Sequence, residues 1–173
     1  MKTDRLKVTT YYHIYSNLIP TKKRIIATIP FMGKYEAVKE YSNIFINVDK
    51  YKDTFNGKKN WVDKYVDRVI DLANSDTEQK YILIDTDSEI LNKLDEKGIM
   101  YSIVLPSKLL KYIGRYIFVE GTSALRVYLQ MKKVVKKLKT ETNATFVYLT
   151  DGYIADLFVR YHEYTIDAEI FNN

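Results

Sequence analysis

Arg24-Ile25-Ile26-Ala27-Thr28-Ile29-Pro30-Phe31-Met32-Gly33-Lys34-Tyr35 begins with a short apolar, β-branched run that stops at Pro30. A run of that length and character reads as a buried parallel strand. Met32 and Gly33 then turn the chain, and Lys34–Tyr41 follows as a short helix with Tyr35, Val38 and Tyr41 at helical spacing. Working outward, Asn43–Val48 (NIFINV), Tyr81–Ile84 (YILI), Ser102–Leu105 (SIVL, ending at Pro106) and Thr145–Leu149 (TFVYL) read as further strands. Asp53–Lys59 reads as a loop. Trp61–Leu72 reads as an amphipathic helix whose stripe is Trp61, Val62, Tyr65, Val66, Val69 and Ile70. Thr86-Asp87-Ser88-Glu89 has the form of a capping box opening a helix to about Glu96, which Gly98 closes. Leu109–Tyr116, Ser123–Lys139 and Tyr153–Val159 complete the helices.

Strands alternating with helices imply right-handed crossovers and a sheet covered on both faces. The expected fold class is therefore α/β: a three-layer domain with a mostly parallel sheet of about five strands. No repeat or linker divides residues 21–173, which are read as a single domain. Residues 1–20 are read as an N-terminal arm, with loose alternation over Leu6–Tyr15.

Composition narrows the chemistry. The chain has 173 residues, 46% hydrophobic and 28% charged, as globular domains do. It has no cysteine, which rules out disulfides and thiolate-bound metals, and His13 and His162 are its only histidines, so no metal site is expected. No apolar run reaches the roughly 18–20 residues of a membrane span. Met1–Tyr15 carries Lys2, Asp4, Arg5 and Lys7 in place of an apolar signal core. A cytoplasmic protein without membrane partners is expected. The formal charge of +5 permits an anionic partner without requiring one. The 16 tyrosines, with abundant Lys, Ile and Asn, read as the imprint of an AT-rich genome, as in phages of low-GC bacteria.

Ligands of open parallel sheets bind beyond the carboxyl ends of the strands. That rule selects Pro30–Tyr35, Val48–Lys52, Asp85–Ser88 and Pro106–Lys108. Thr28–Tyr35 sits where a Walker A loop, G-x-x-x-x-G-K-[ST], would join strand to helix. Such a loop needs glycines so that amides can curl around phosphate, a lysine for charge, and a hydroxyl for Mg²⁺. Gly33 and Lys34 fit; Thr28 replaces the first glycine and Tyr35 the Ser/Thr.

The wider order of segments resembles the small phage-type P-loop kinases related to nucleoside monophosphate kinases. Phe45-Ile46-Asn47-Val48-Asp49 matches their short strand ending in an acid, and Asn60-Trp61-Val62-Asp63-Lys64-Tyr65-Val66 their Asn/Trp/Tyr helix. Tyr81 to Lys111, with Leu94–Gly98–Ile99 and Pro106-Ser107-Lys108, matches the strand–helix–strand that follows. Arg115-Tyr116 matches the segment before the lid. Leu149-Thr150-Asp151-Gly152-Tyr153-Ile154-Ala155-Asp156-Leu157 matches the closing strand–turn–helix.

The resemblance spans about Arg24 to Phe158. It implies a P-loop kinase-like scaffold in which Gly33, Lys34 and Arg115 face phosphate, and Asp49 and Asp85 stand near metal or acceptor as catalytic candidates. Where turnover persists, ATP and Mg²⁺ are the implied cofactors; otherwise none is.

The departures point to impairment. Besides Thr28 and Tyr35, the lid segment retains only Arg115, and Asp85-Thr86-Asp87 stands where the family is small and polar with a histidine. Phosphoryl transfer depends on positioning and charge neutralisation, and this sequence has lost parts of both. The expected function is a pseudoenzyme of phage type, acting in the host cytoplasm by binding a macromolecule, first a protein partner. The alternatives are a live nucleotide or polynucleotide kinase, and a small nucleic-acid-binding protein.

Met131–Lys139 bears on the last alternative. It sets Met131, Val134, Val135 and Leu138 on one side and five lysines on the other, among them Lys132, Lys133, Lys136 and Lys137. These lysines form either a nucleic-acid patch or the solvated face of a core helix. Tyr11, Tyr12 and Tyr15 would stack bases, fill a partner's groove, or cover a sheet edge or a homo-oligomer interface.

Overall fold

The computed structural model describes residues 25–55, 57–75, 80–120, 124–149 and 152–155. Within them run five strands, β1 (Ile25–Thr28), β2 (Phe45–Asn47), β3 (Tyr81–Asp85), β4 (Ser102–Pro106) and β5 (Thr145–Leu149). Six helices connect them: α1 (Lys34–Glu40), α2 (Asp49–Phe55), α3 (Trp61–Asn74), α4 (Ser88–Glu96), α5 (Leu109–Glu120) and α6 (Ala124–Glu141). The sheet has the order β2-β3-β1-β4-β5, and every pairing is parallel. The expected α/β class with a five-stranded parallel sheet is what the chain adopts.

The apolar runs explain the centre of the sheet. All residues of β1 and β4 are buried, as strands covered on both faces must be. Ile26, Ala27, Leu83, Ile84, Ile103 and Val104 are fully buried and anchor one core. Tyr65, Val66 and Val69 of α3 and Ile90, Leu91 and Leu94 of α4 pack into it from the helical stripes. Parallel crossovers are right-handed, so opposite directions along the sheet put their helices on opposite faces. The β1→β2 step runs one way, and every later step runs the other. Helix α1 therefore lies on one face and the remaining connecting helices on the other, with β1 and β3 flanking the point where the order reverses.

Several boundaries differ from the sequence reading. Asp49–Phe55, expected as a strand end followed by the start of a loop, is helix α2. It has no fully buried residue, and its apolar stripe is one turn long, Tyr51 and Phe55, partly buried against the core. The capping box at Thr86 does not form: Asp87 is the N-cap of α4, its side chain accepting from Glu89 N–H at 3.0 Å. Because the helix starts at Ser88, Thr86 stands outside it. At the other end Gly98 behaves as expected, with φ +65° and Ile99 N–H donating to the Leu94 carbonyl at 2.9 Å. Of the closing helix Tyr153–Val159, Tyr153 precedes the helical Ile154 and Ala155, and residues 156–159 lie outside the described residues. The N-terminal arm, with Tyr11, Tyr12 and Tyr15, lies outside them too. No helix among the described residues is long and apolar enough to cross a membrane.

Candidate functional site

Three neighbouring strands deliver one charged group each to a single point. Lys34 opens α1 just beyond β1, Asp49 opens α2 just beyond β2, and Asp85 ends β3 in register with Thr28 of β1. The Lys34 side chain is 7% exposed, and its ammonium lies 2.6 Å from Asp49 Oδ2 and in contact with Asp85 Oδ1. Around Asp49, the Tyr35 hydroxyl donates to Oδ2 at 3.2 Å, and the Asp49 N–H donates to Asn47 Oδ1 at 2.9 Å. Burial works to lower the Lys34 pKa, but the hydrogen bonds and charges of Asp49 and Asp85 outweigh it and hold it above its ordinary value. The lysine is thus a charged, internally satisfied group. One ammonium against two carboxylates leaves the triad net negative.

Beneath it lies Tyr65 of α3, fully buried, whose hydroxyl has no hydrogen-bond partner among the described residues. Its pKa is pushed up by burial first and then by the charges of Asp49, Asp85 and Asp87. The inner oxygen of Asp49, Oδ1, is likewise buried without a partner among the described residues. Asp87 belongs to a different pair. It binds Lys52 of α2 at 2.8 Å while capping α4. Desolvation raises its pKa, yet the Lys52 bond and charge and the Glu89 and Ile90 amides bring it below the ordinary value.

The loop between β1 and α1 carries two left-handed residues, Phe31 at φ +76° and Gly33 at φ +77°. Only glycine adopts that conformation freely, so Phe31 is held there by its surroundings. The last described segment leans on the loop: Ile154 N–H donates to the Met32 carbonyl at 3.0 Å. A Cβ added to Gly33 would meet the Tyr153 side chain at 2.7–2.9 Å. The result is a cleft of about 480 Å³ lined by Thr28–Glu36, Asp85, Tyr112 and Tyr153.

The structure therefore brings together Gly33, Lys34, Asp49 and Asp85 of the candidates read from sequence. Asp85 and Asp87, two residues apart in sequence, part company at the cap. Arg115 lies on α5, and nothing is described of its side chain. Lys132, Lys133, Lys136 and Lys137 lie on α6, and none lines the cleft. Sequence reasoning gave Tyr112 and Tyr153 no role, and it reached Lys52 only as the end of the Val48–Lys52 segment. Tyr153 was within reach of the strand-end rule, because it follows β5 at the carboxyl edge of the sheet.

Comparison with known proteins adds little. No family model matches the chain, and no curated protein does. Among solved structures, an uncharacterized protein from Eubacterium ventriosum is similar at 13% identity and a TM-score of 0.43, over 79% of this chain and 96% of that one.

Proposed function

We propose that this chain is a P-loop kinase-like domain that no longer transfers phosphoryl groups and works by binding a macromolecule. The observation carrying this reading is the engagement of Lys34 by both Asp49 and Asp85. A phosphate-binding lysine must offer its charge to an anion, and this one is spent on two carboxylates that would repel it. The surroundings support the same reading. Tyr153 packs against Gly33 and walls one side of the cleft beside the loop. Tyr35 directs its hydroxyl to Asp49. Thr28 stands, buried, where the loop pattern calls for a glycine. What supports kinship with P-loop kinases is the position of the site at the carboxyl ends of β1 and β3, where the strand order reverses and open α/β sheets bind their ligands.

The test is thermal unfolding of the full chain with Mg-ATP, Mg-GTP and their deoxy counterparts. A ligand at 100 times its dissociation constant adds about 2.7 kcal/mol to stability, a readily measured shift. No shift is expected at millimolar nucleotide. A saturable shift with phosphoryl transfer to a nucleotide or polynucleotide acceptor would instead make the protein a live kinase.

A further inference from the structure

We propose that a second hollow, formed by the β4–α5 turn, α6 and β5, binds single-stranded nucleic acid. It encloses about 560 Å³ and is lined by Lys108, Lys111, Lys132, Lys139, Tyr128 and Tyr148 among others, with no carboxylate in its wall. The α6 contribution is one helical stripe: Tyr128, Lys132, Val135 and Lys139 follow each other at spacings of four, three and four. Lys108 and Lys111 face that stripe from the start of α5. Neither Lys108 nor Lys132 has a carboxylate at ion-pair distance among the described residues, in contrast to Lys137, which pairs with Glu141 at 3.5 Å. Tyr148 projects from β5 and is 41% exposed, with the Lys139 ammonium 5.0 Å from its ring centroid. A phosphate held by Lys139 therefore brings its own base beside an exposed aromatic ring.

Lysines tracking a backbone, with aromatic rings for bases, is how single strands are held without sequence preference. A duplex keeps its bases stacked and offers the ring no free face. An acidic peptide matches the lysines but brings no base to stack on the exposed Tyr148 ring. The hollow shares no lining residue with the Lys34 cleft, so the inference goes beyond the proposed function and stands or falls separately from it. It also redraws the basic patch read from sequence. Of the four lysines nominated there, Lys132 lines the hollow; Lys133, Lys136 and Lys137 do not.

Fluorescence anisotropy of the full chain with labelled oligothymidylate and oligouridylate of about 12 nucleotides tests it, since single-strand sites span about 4–16. Binding should weaken with salt along a log–log slope of roughly −2, the value for three neutralised phosphates of a single strand. Lys108→Glu with Lys132→Glu should lower affinity at least about tenfold, and Tyr148→Ala about fivefold or more, in keeping with the contribution of one stacked base. Lys133→Glu with Lys136→Glu makes the same charge change on α6 outside the hollow and should cost less than about threefold. The inference is overturned if the outer pair costs as much as the inner pair, which would reduce the effect to net charge. Absence of binding at low salt also overturns it. So does displacement of the oligonucleotide by poly-L-glutamate as readily as by unlabelled strand, which would mark an acidic-peptide site.

Discussion

Tyr153 lies against Gly33 so closely that a Cβ on the glycine would stand 2.7 Å from the ring's Cδ1. Here the absence of a side chain on the glycine admits the chain's own segment after β5, which forms one wall of the cleft. The contact also fastens that segment to the β1–α1 loop, together with the Ile154–Met32 backbone bond.

Gly33→Ala should consequently be more damaging than its backbone angle implies. A left-handed alanine costs roughly 1–2 kcal/mol, and displacing Tyr153 should bring the total to about 3 kcal/mol. Gly57→Ala is the control, with the same φ of +77° and no atom within 4 Å of an added Cβ. Urea denaturation of both variants separates the effects. Equal losses would mean that Tyr153 does not bear on the loop.

Lys34→Met removes the charge between Asp49 and Asp85. Breaking one partner from a buried ion pair typically costs about 3–5 kcal/mol, and the 45% exposure of Asp85 places the expected loss near about 3 kcal/mol at neutral pH. In the native chain the pH dependence of this interaction comes from the lysine. Lys34 has a folded pKa above its ordinary value of 10.5, so its contribution is complete below that pH and is lost as pH rises beyond it. A Lys34→Met loss below about 1 kcal/mol in urea denaturation at neutral pH would count against the triad.

How much of this was readable in advance depended on whether the signal was local. Strands β1, β3 and β4 announced themselves as apolar runs because parallel strands inside a sheet are buried on both faces, while β5, at the sheet edge with Tyr148 exposed, showed itself by its β-branched and aromatic residues. Helix α2 did not, because Tyr51 and Phe55, its two apolar residues, are only partly buried against the core and make a stripe a single turn long. Lys34, Asp49 and Asp85 were each found by the strand-end rule. Their meeting was not, since it requires β3 to lie between β1 and β2, an order no local pattern encodes. Asp87 takes no part in that meeting, because it caps α4 and pairs with Lys52.

Asp87→Ala should cost about 1–2 kcal/mol at neutral pH by removing an N-cap and an ion pair together, while Asp87→Asn, which keeps a capping oxygen, should cost under about 1 kcal/mol. Because the folded pKa of Asp87 lies below its ordinary value of 3.8, its stabilisation is present above that pH and is lost as pH falls through the folded value. Unfolding curves of wild type and variant should therefore converge below about pH 3.8. Divergence there would refute the assignment.

Tyr65→Phe removes a buried hydroxyl that has no partner among the described residues and sits near three carboxylates. An unpaired buried polar group is a cost to the fold, so its removal should leave stability within about 0.5 kcal/mol of wild type or raise it. A loss above about 1.5 kcal/mol would show that the hydroxyl is satisfied in solution.

The decisive manipulation concerns the charge at the cleft. Asp49→Asn with Asp85→Asn keeps the side-chain volumes and leaves the Lys34 ammonium alone at the carboxyl end of β1. Each carboxylate acting on an anion about 4 Å away in partly solvated protein contributes on the order of 4 kcal/mol of repulsion. Its removal should convert a site that rejects phosphate into one that accepts it. Tripolyphosphate at millimolar concentration should then stabilise the double variant in thermal unfolding and leave wild type unmoved. Adding Lys34→Met to the double variant should abolish the gain, because the attracting charge goes with it. If wild type bound tripolyphosphate as tightly as the double variant, Asp49 and Asp85 would not be what silences Lys34, and the impairment would have to be sought in the loop that Tyr153 covers.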